Sequence, residues 1–151
     1  MTFGAVSSLM RYLTSKEKRQ IVEEWERAVA ALPESVPDEG DERGFPDPPI
    51  INWCRRINML NGVCTVQSCA GHRRVDGSLV SGHLWLRLSR EMSTQFDRAA
   101  LSLATQPCIE QVSRLYTPWG AEISAIVFHG NERARLHESM RTILQSLWNV
   151  S

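Results

Sequence analysis

The residues of this sequence that could do chemistry are concentrated in one glycine-containing segment, SCAGHRR, at positions 68–74. Cys69 and His72 have the spacing of a metal-ligand pair, and His83 offers a further imidazole. Zinc is bound by cysteine and histidine side chains, with three protein ligands in catalytic sites and four in structural ones. A zinc-dependent enzyme is therefore one interpretation of this segment.

The same segment also suits chemistry without a metal. Arg73, Arg74 and a protonated His72 would favour the thiolate of Cys69, which is the nucleophilic form of a cysteine. On this interpretation Cys69 and His72 are the catalytic residues. Alternatively, the loop's backbone N–H groups and arginines bind a phosphate or a carboxylate. The remaining interpretation is an ordinary hairpin whose polar residues are merely solvated.

Two strand-like runs flank the segment and decide which side chains can act together. Successive side chains of a strand point to opposite faces. We expect Leu84, Leu86 and Leu88 to face the helices, together with Cys64 and Val66. The other face would then be open to solvent and carry six side chains: Thr65, Gln67, Cys69, His83, Trp85 and Arg87.

The turn between these strands raises a question of register. Asp76-Gly77 is the strongest short hairpin signal in the chain. With a two-residue turn there, residues expected on opposite faces of the sheet would pair with each other. A shift of one residue in the pairing moves all the side chains of a strand to the other face. We therefore expect a bulge or a wider loop, at Gly71 or Gly82.

Periodicity predicts the other elements. Four helices are predicted: one from the capping box of Thr14 to just before Pro33, one from Asp47 to Asn61-Gly62, one over about 90–105, and one that starts at Asn131. Four strands are predicted, at 63–69, 83–89, 109–116 and 121–129. The order is α-α-β-β-α-β-β-α. Strands in adjacent pairs separated by helices predict an α+β fold, with a mainly antiparallel four-stranded sheet and helices on one face.

Composition indicates a single domain of 151 residues, with 17 basic and 17 acidic side chains. A formal charge of zero does not indicate a general polyanion binder. The N-terminal residues lack the pattern of a secretory signal, and no run is long and apolar enough for a membrane helix. We therefore expect reduced cysteines and a cytoplasmic protein with no membrane partner.

Residues 33–49 differ from the rest of the chain. They contain five prolines and six acidic residues: Pro33, Pro37, Pro46, Pro48, Pro49, Glu34, Asp38, Glu39, Asp41, Glu42 and Asp47. Such a segment is too poor in apolar residues to fold alone. We interpret it as a linker or an extended surface strap that could dock a protein partner.

The region from about 50 to 115 resembles the tRNA wybutosine-synthesis methyltransferases. In that family a helix leads through an Ile-Asn pair into a strand that ends in Ser-Ser-Cys-Ser-Gly-Arg, and an aromatic-containing strand follows. The matching positions are Ile57, Asn58, Thr65, Ser68, Cys69, Gly71 and Trp85. Gln67 and His72 depart from the pattern, standing where the family has serine and arginine. The resemblance implies an α+β fold with a ligand site at this loop, and S-adenosylmethionine and tRNA as cofactor and substrate.

Our leading hypothesis is a domain that binds a nucleotide or tRNA on its open sheet face, as a relative of these S-adenosylmethionine-dependent enzymes. Ser68, Cys69, Gly71 and His72 would line the site, close to His83; Arg73, Arg74 and Arg87 would contact phosphate, and Trp85 would stack on a base. A similar Ser-Cys-x-Gly-His signature is found in short bacterial and phage proteins. The alternative is therefore a non-catalytic protein-interaction module of such origin.

Overall fold

The structure is a computed structural model that describes residues 10–32, 47–130 and 133–151. Its helices are α1 (Ser15–Ala30), α2 (Ile51–Asn58), α3 (Arg90–Ala104) and α4 (Arg133–Val150), and a short 3-10 helix, Pro48–Ile50, precedes α2. Its strands are β1 (Val63–Cys69), β2 (His72–Arg73), β3 (Leu79–Val80), β4 (Gly82–Leu88), β5 (Ile109–Tyr116) and β6 (Glu122–Phe128). The predicted cap at Asn131 lies outside the described residues.

Four strands form one antiparallel sheet in the order β1-β4-β6-β5. The α+β class, the four-stranded antiparallel sheet and the order of the main elements are confirmed. The short strands β2 and β3 were not predicted; they form a separate two-stranded ladder that extends the β1–β4 hairpin beyond the sheet.

The main hydrophobic core lies between one face of the sheet and the helices α2, α3 and α4. Helix residues at a spacing of three or four bury their apolar side chains against the leucines of β4. The fully or almost fully buried members include Ile57, Leu84, Leu86, Phe96, Ile126, Phe128, Met140, Ile143 and Leu147. Burying each such side chain contributes roughly 1.5–3 kcal/mol, so this layer holds the sheet against its helices.

Helix α1 contacts both sides of the sheet. Its Trp25 belongs to the main core, whereas Ile21 and the preceding Leu13 form a second cluster with Cys64, Val66 and Ile123 on the opposite face. The expectation of helices on one face therefore holds for three of the four helices. Cys64 and Val66 were expected beside the leucines of β4 but face α1 instead.

A β-bulge at Val66 explains this placement. The pairing of β1 with β4 shifts register between Thr65 and Gln67. The extra residue lets Val66 join the cluster under α1 while Thr65, before the bulge, faces the main core. We expected a bulge or a wider loop at Gly71 or Gly82. The turn is wider than two residues, since Arg73 pairs with Leu79 and Cys69 with His83, but the β-bulge lies at Val66 and not at either glycine.

Hydroxyl side chains cap the N-termini of α1 and α3. The Thr14 hydroxyl oxygen accepts the N–H of Glu17 at 3.1 Å, and the Ser89 hydroxyl oxygen accepts the N–H of Met92 at 3.1 Å. The Glu17 side chain does not complete a capping box, however. It turns into the protein and forms an ion pair with Arg87.

The segment before α1 closes one end of the sheet. Leu13 donates its N–H to the Leu88 carbonyl, and Glu122 donates its N–H to the Arg11 carbonyl, both at 2.9 Å. The chain at positions 11–13 is thus held between the last residue of β4 and the first residue of β6. In the described part of the chain, no helix is long and apolar enough to cross a membrane.

Candidate functional site

Three of the expected site residues lie together on the sheet face opposite the main core. Cys69 and His83 are direct cross-strand partners in β1 and β4, so their side chains lie on one face. Trp85 follows two residues after His83 on the same face, with 6.3 Å between the ring centroids and 48° between the ring planes. All three are partly buried. They provide a thiol, an imidazole and an indole at one surface.

Asp47 completes this group and was not identified as a site residue from the sequence. Its carboxylate makes no capping bond to the helix that follows it. Instead, Asp47 Oδ2 accepts the N–H of Ala70 at 2.8 Å, and the carboxylate acts electrostatically on both Cys69 and His83. The Asp-Pro-Pro sequence indicated only a helix start. We call Asp47, Cys69, His83 and Trp85 the open-face patch.

The electrostatics of the open-face patch favour uncharged forms of its thiol and imidazole. Burial raises the pKa of Cys69; the Gly71 N–H opposes this effect, and the nearby Asp47 adds to it. Burial lowers the pKa of His83, while Asp47 acts in the opposite direction. Because the thiolate is the nucleophilic form of cysteine, this direction of the Cys69 pKa disfavours a nucleophilic role.

His72, the second expected catalytic residue, has no hydrogen bond to Cys69 among the described residues. It pairs with Val80 in the small β2–β3 ladder, and its Nδ1 is buried without a hydrogen-bond partner among the described residues. Gly71 lies between the two in a left-handed conformation, with φ of 85°, and donates its N–H to Cys69 Sγ at 3.4 Å. The loop therefore turns sharply between the thiol and the imidazole.

The expected phosphate ligands are separated by the fold. Arg87 lies on the same sheet face as His83 but is covered by α1: only 3% of its side chain is exposed, and its Nη2 lies 3.1 Å from Glu17 Oε2. The prediction that Arg87 contacts phosphate was wrong for this reason. Arg74 is exposed near the hairpin tip. The side chain of Arg73 lies outside the described residues.

Two further polar residues of β1 face inward. Thr65 was expected on the open face, but its N–H and hydroxyl both donate to Asn58 Oδ1, at 2.8 and 3.2 Å. Ser68 was expected to line the site, yet it pairs with Leu84 and hydrogen bonds the buried Cys54 thiol. Both corrections follow from the alternation of strand residues on either side of the bulge.

The zinc and protein-interaction interpretations depend on a set of metal ligands and on the strap at 33–49. Among residues 10–32, 47–130 and 133–151, no group of three histidine, cysteine, aspartate or glutamate side chains could hold a metal ion. The proposed protein-binding strap at 33–49 lies outside the described residues except for Asp47, Pro48 and Pro49.

Comparisons with known proteins add one structural similarity. No protein-family model matches the chain, and no curated protein matches it. Among solved structures, the PH1069 protein from Pyrococcus horikoshii is similar, with 15% sequence identity and a TM-score of 0.48. The similarity covers 89% of this chain and 92% of that one. The assignment of function therefore depends on the residues of the chain itself.

Proposed function

We propose that the open-face patch binds a nucleoside-type ligand, and that the protein is a relative of tRNA-modifying methyltransferases that use S-adenosylmethionine. The observation that carries the proposal is the group formed by Trp85, His83 and the Asp47 carboxylate. An aromatic ring beside hydrogen-bonding side chains is the usual way for proteins to bind a base by stacking and edge contacts. The resemblance of the Ser-Cys-Ala-Gly-His loop to the wybutosine-synthesis family adds support.

The charges of the patch favour an uncharged or cationic ligand over a polyphosphate. Asp47 is the charged member of the patch, and the nearest arginine of the strand, Arg87, is held in its ion pair with Glu17. A carboxylate accepts hydrogen bonds from a ribose diol and attracts a positive charge. S-adenosylmethionine has a ribose diol, a sulfonium and an ammonium group. We therefore expect it to bind better than ATP.

Each side chain of the patch has a role in this proposal. Trp85 would stack on the adenine, and Asp47 would accept hydrogen bonds from the ribose. Bound S-adenosylmethionine would supply the methyl group. The recipient of that methyl group would be a base nitrogen, and uncharged His83 would accept the proton that this nitrogen loses. Cys69, as a neutral thiol, would line the site without forming a covalent bond.

Isothermal titration calorimetry tests the proposal. S-adenosylmethionine, ATP and tRNA are titrated separately into the protein and into Trp85→Ala. The matched control is Trp148→Ala, since Trp148 is an exposed tryptophan of α4 outside the patch. Loss of one stacking interaction is expected to weaken binding of S-adenosylmethionine by about 5- to 150-fold, equivalent to roughly 1–3 kcal/mol. Trp148→Ala is expected to bind like the original protein.

Two results would overturn the proposal. The first is the absence of binding of both S-adenosylmethionine and tRNA at high micromolar concentration. The second is equal binding by Trp85→Ala and Trp148→Ala, which would locate the ligand elsewhere. The variant Asp47→Asn gives a further check, because it keeps an acceptor for the Ala70 N–H and removes the charge. It should reduce the preference for S-adenosylmethionine over ATP.

A further inference from the structure

We propose that the other end of the sheet binds single-stranded nucleic acid through alternating arginine and tyrosine side chains. Arg11 Cζ lies 5.0 Å from the ring centroid of Tyr12 and 5.9 Å from that of Tyr116. Arg90 Cζ lies 5.4 Å from the ring centroid of Tyr12. These distances are within the range of cation–π contacts. We call Arg11, Tyr12, Arg90 and Tyr116 the arginine–tyrosine patch.

Three of the four residues of the patch are exposed, and Tyr12 is half-buried. The side chain of Arg11 is 55% exposed and Tyr116 is 56% exposed, and Arg90 is exposed at the first position of α3. Trp119, 40% exposed, lies in the adjoining turn between β5 and β6. Exposed aromatic rings are unfavourable in water, and such rings beside arginines are typical of a binding surface.

Buried groups hold the patch in place. Arg11 Nε donates to Glu122 Oε2 at 3.1 Å, and Glu122 is only 4% exposed. The other oxygen of Glu122 accepts from the Ser93 hydroxyl at 2.7 Å and lies 3.0 Å from Arg114 Nε. The Arg11 carbonyl is also fixed, by the Glu122 N–H. The guanidinium of Arg11 therefore has a defined position before any partner binds.

Three arginines lie at this end of the sheet. Arg11, Arg90 and Arg114 lie there, and the carboxylates that contact them are Glu122 and Asp97. The hydrogen bond to Glu122 raises the pKa of Arg11, so its charge is permanent. Glu122 and Asp97 offset two of these charges, whereas the exposed Arg90 forms no ion pair among the described residues and is available to an anionic partner.

Single-stranded nucleic acid fits this arrangement better than an acidic peptide does. Its bases stack on aromatic rings and its phosphates pair with guanidinium groups, so it uses both residue types of the patch along one strand. An acidic peptide would use the arginines and leave the tyrosines without a matching group. The patch lies near Leu88, five residues along β4 from His83, which is about 17 Å. The proposal therefore does not depend on the open-face patch.

Fluorescence anisotropy with a labelled single-stranded RNA of about twelve nucleotides tests the proposal. Tyr116→Ala is expected to weaken binding by about 5- to 150-fold, whereas Tyr116→Phe keeps the ring and should bind like the original protein. The matched control is again Trp148→Ala, whose tryptophan is 64% exposed. Arg90→Glu should also reduce the slope of log affinity against log salt concentration, by about 0.7 for each phosphate that the variant no longer neutralises.

The outcomes separate this inference from the proposed function. Weaker RNA binding by Tyr116→Ala together with unchanged binding of S-adenosylmethionine supports a separate nucleic-acid surface. Absence of RNA binding overturns it, as does equal binding by Tyr116→Ala and Trp148→Ala. Polyglutamate that binds as tightly as the RNA and is indifferent to Tyr116→Ala would also overturn it, in favour of an acidic protein partner. Arg141→Glu, an exposed charge reversal on α4, controls for net charge.

Discussion

Replacing Arg87 by methionine should destabilise the protein strongly, because it leaves a carboxylate without its partner inside the fold. Arg87 and Glu17 have side chains that are 3% and 2% exposed, and their closest atoms are 3.1 Å apart. Removing one member of a buried ion pair costs about 3–5 kcal/mol. The variant also loses the hydrogen bond from Arg87 Nη2 to the Met10 carbonyl, worth about 1 kcal/mol.

The double variant Glu17→Leu/Arg87→Met should be far less damaging than Arg87→Met alone. Glu17 Oε1 and Arg87 Nε have no hydrogen-bond partner among the described residues, so the pair does not fully offset its own desolvation. Replacing such a pair by apolar side chains is often neutral or stabilising by about 1–4 kcal/mol. We expect the double variant to lie within about 1 kcal/mol of the original protein.

The cost of Arg87→Met should also depend on pH. Burial raises the pKa of Glu17, and Arg87 opposes this shift. Without Arg87 the pKa in the folded state rises further above the unfolded value of about 4.3. The folded state then binds the proton more tightly, so stability falls as pH rises from that value towards the folded pKa. The destabilisation should therefore be small near pH 4 and largest near pH 7.

Urea unfolding of the original protein, Arg87→Met and the double variant at several pH values measures these differences. The free energy of unfolding comes from linear extrapolation at each pH. The explanation would be refuted if Arg87→Met lost less than about 1 kcal/mol at pH 7, or lost the same amount at every pH. It would also be refuted if the double variant were as unstable as the single one.

Three other substitutions or reactions test local features. Gly130→Ala should lower the free energy of unfolding in urea by about 3 kcal/mol or more, because the new Cβ would lie 2.1 Å from the Ala70 carbonyl oxygen. Gly120→Ala has open space around its new Cβ but a φ of 90°, so it should lower it by only about 1–2 kcal/mol. Equal losses for the two variants would contradict this explanation. Asn58→Ala should cost about 1–3 kcal/mol in the same assay, since it leaves the buried Thr65 N–H unsatisfied, and a neutral result would mean that the bond contributes nothing. Cys69 should react with iodoacetamide more slowly than a free cysteine, and the rate, followed by mass spectrometry, should still increase above pH 9. A reaction rate that stops increasing below pH 8 would indicate an activated thiolate.

Much of the fold could be predicted from local patterns. The helices and strands each show their period in the sequence, and hydroxyl caps such as Thr14 and Ser89 mark helix starts. The sharing of one face by Cys69, His83 and Trp85 also follows from alternation, because all three lie on one side of the bulge.

The remaining features depend on tertiary contacts. The alternation of side chains shows which residues of a strand share a face. It does not show which face a helix covers when both faces carry apolar residues. Cys64 and Val66 are buried under α1, and no local signal shows that α1 crosses to that side. The sequence suggested that Arg87 is an exposed phosphate ligand, because its ion-pair partner Glu17 lies far from it along the chain, in α1. Asp47 reaches Ala70 across 23 positions, so its role could not be read from neighbouring residues.

The position of residues 11–13 at the end of the sheet has a consequence for folding. Arg11 and its partner Glu122 are 111 positions apart in the sequence. Contacts of such long sequence separation form only after the intervening chain has been synthesised, and they slow folding. We therefore expect residues 11–13 to join the sheet late in folding, after the β1–β4 hairpin has paired.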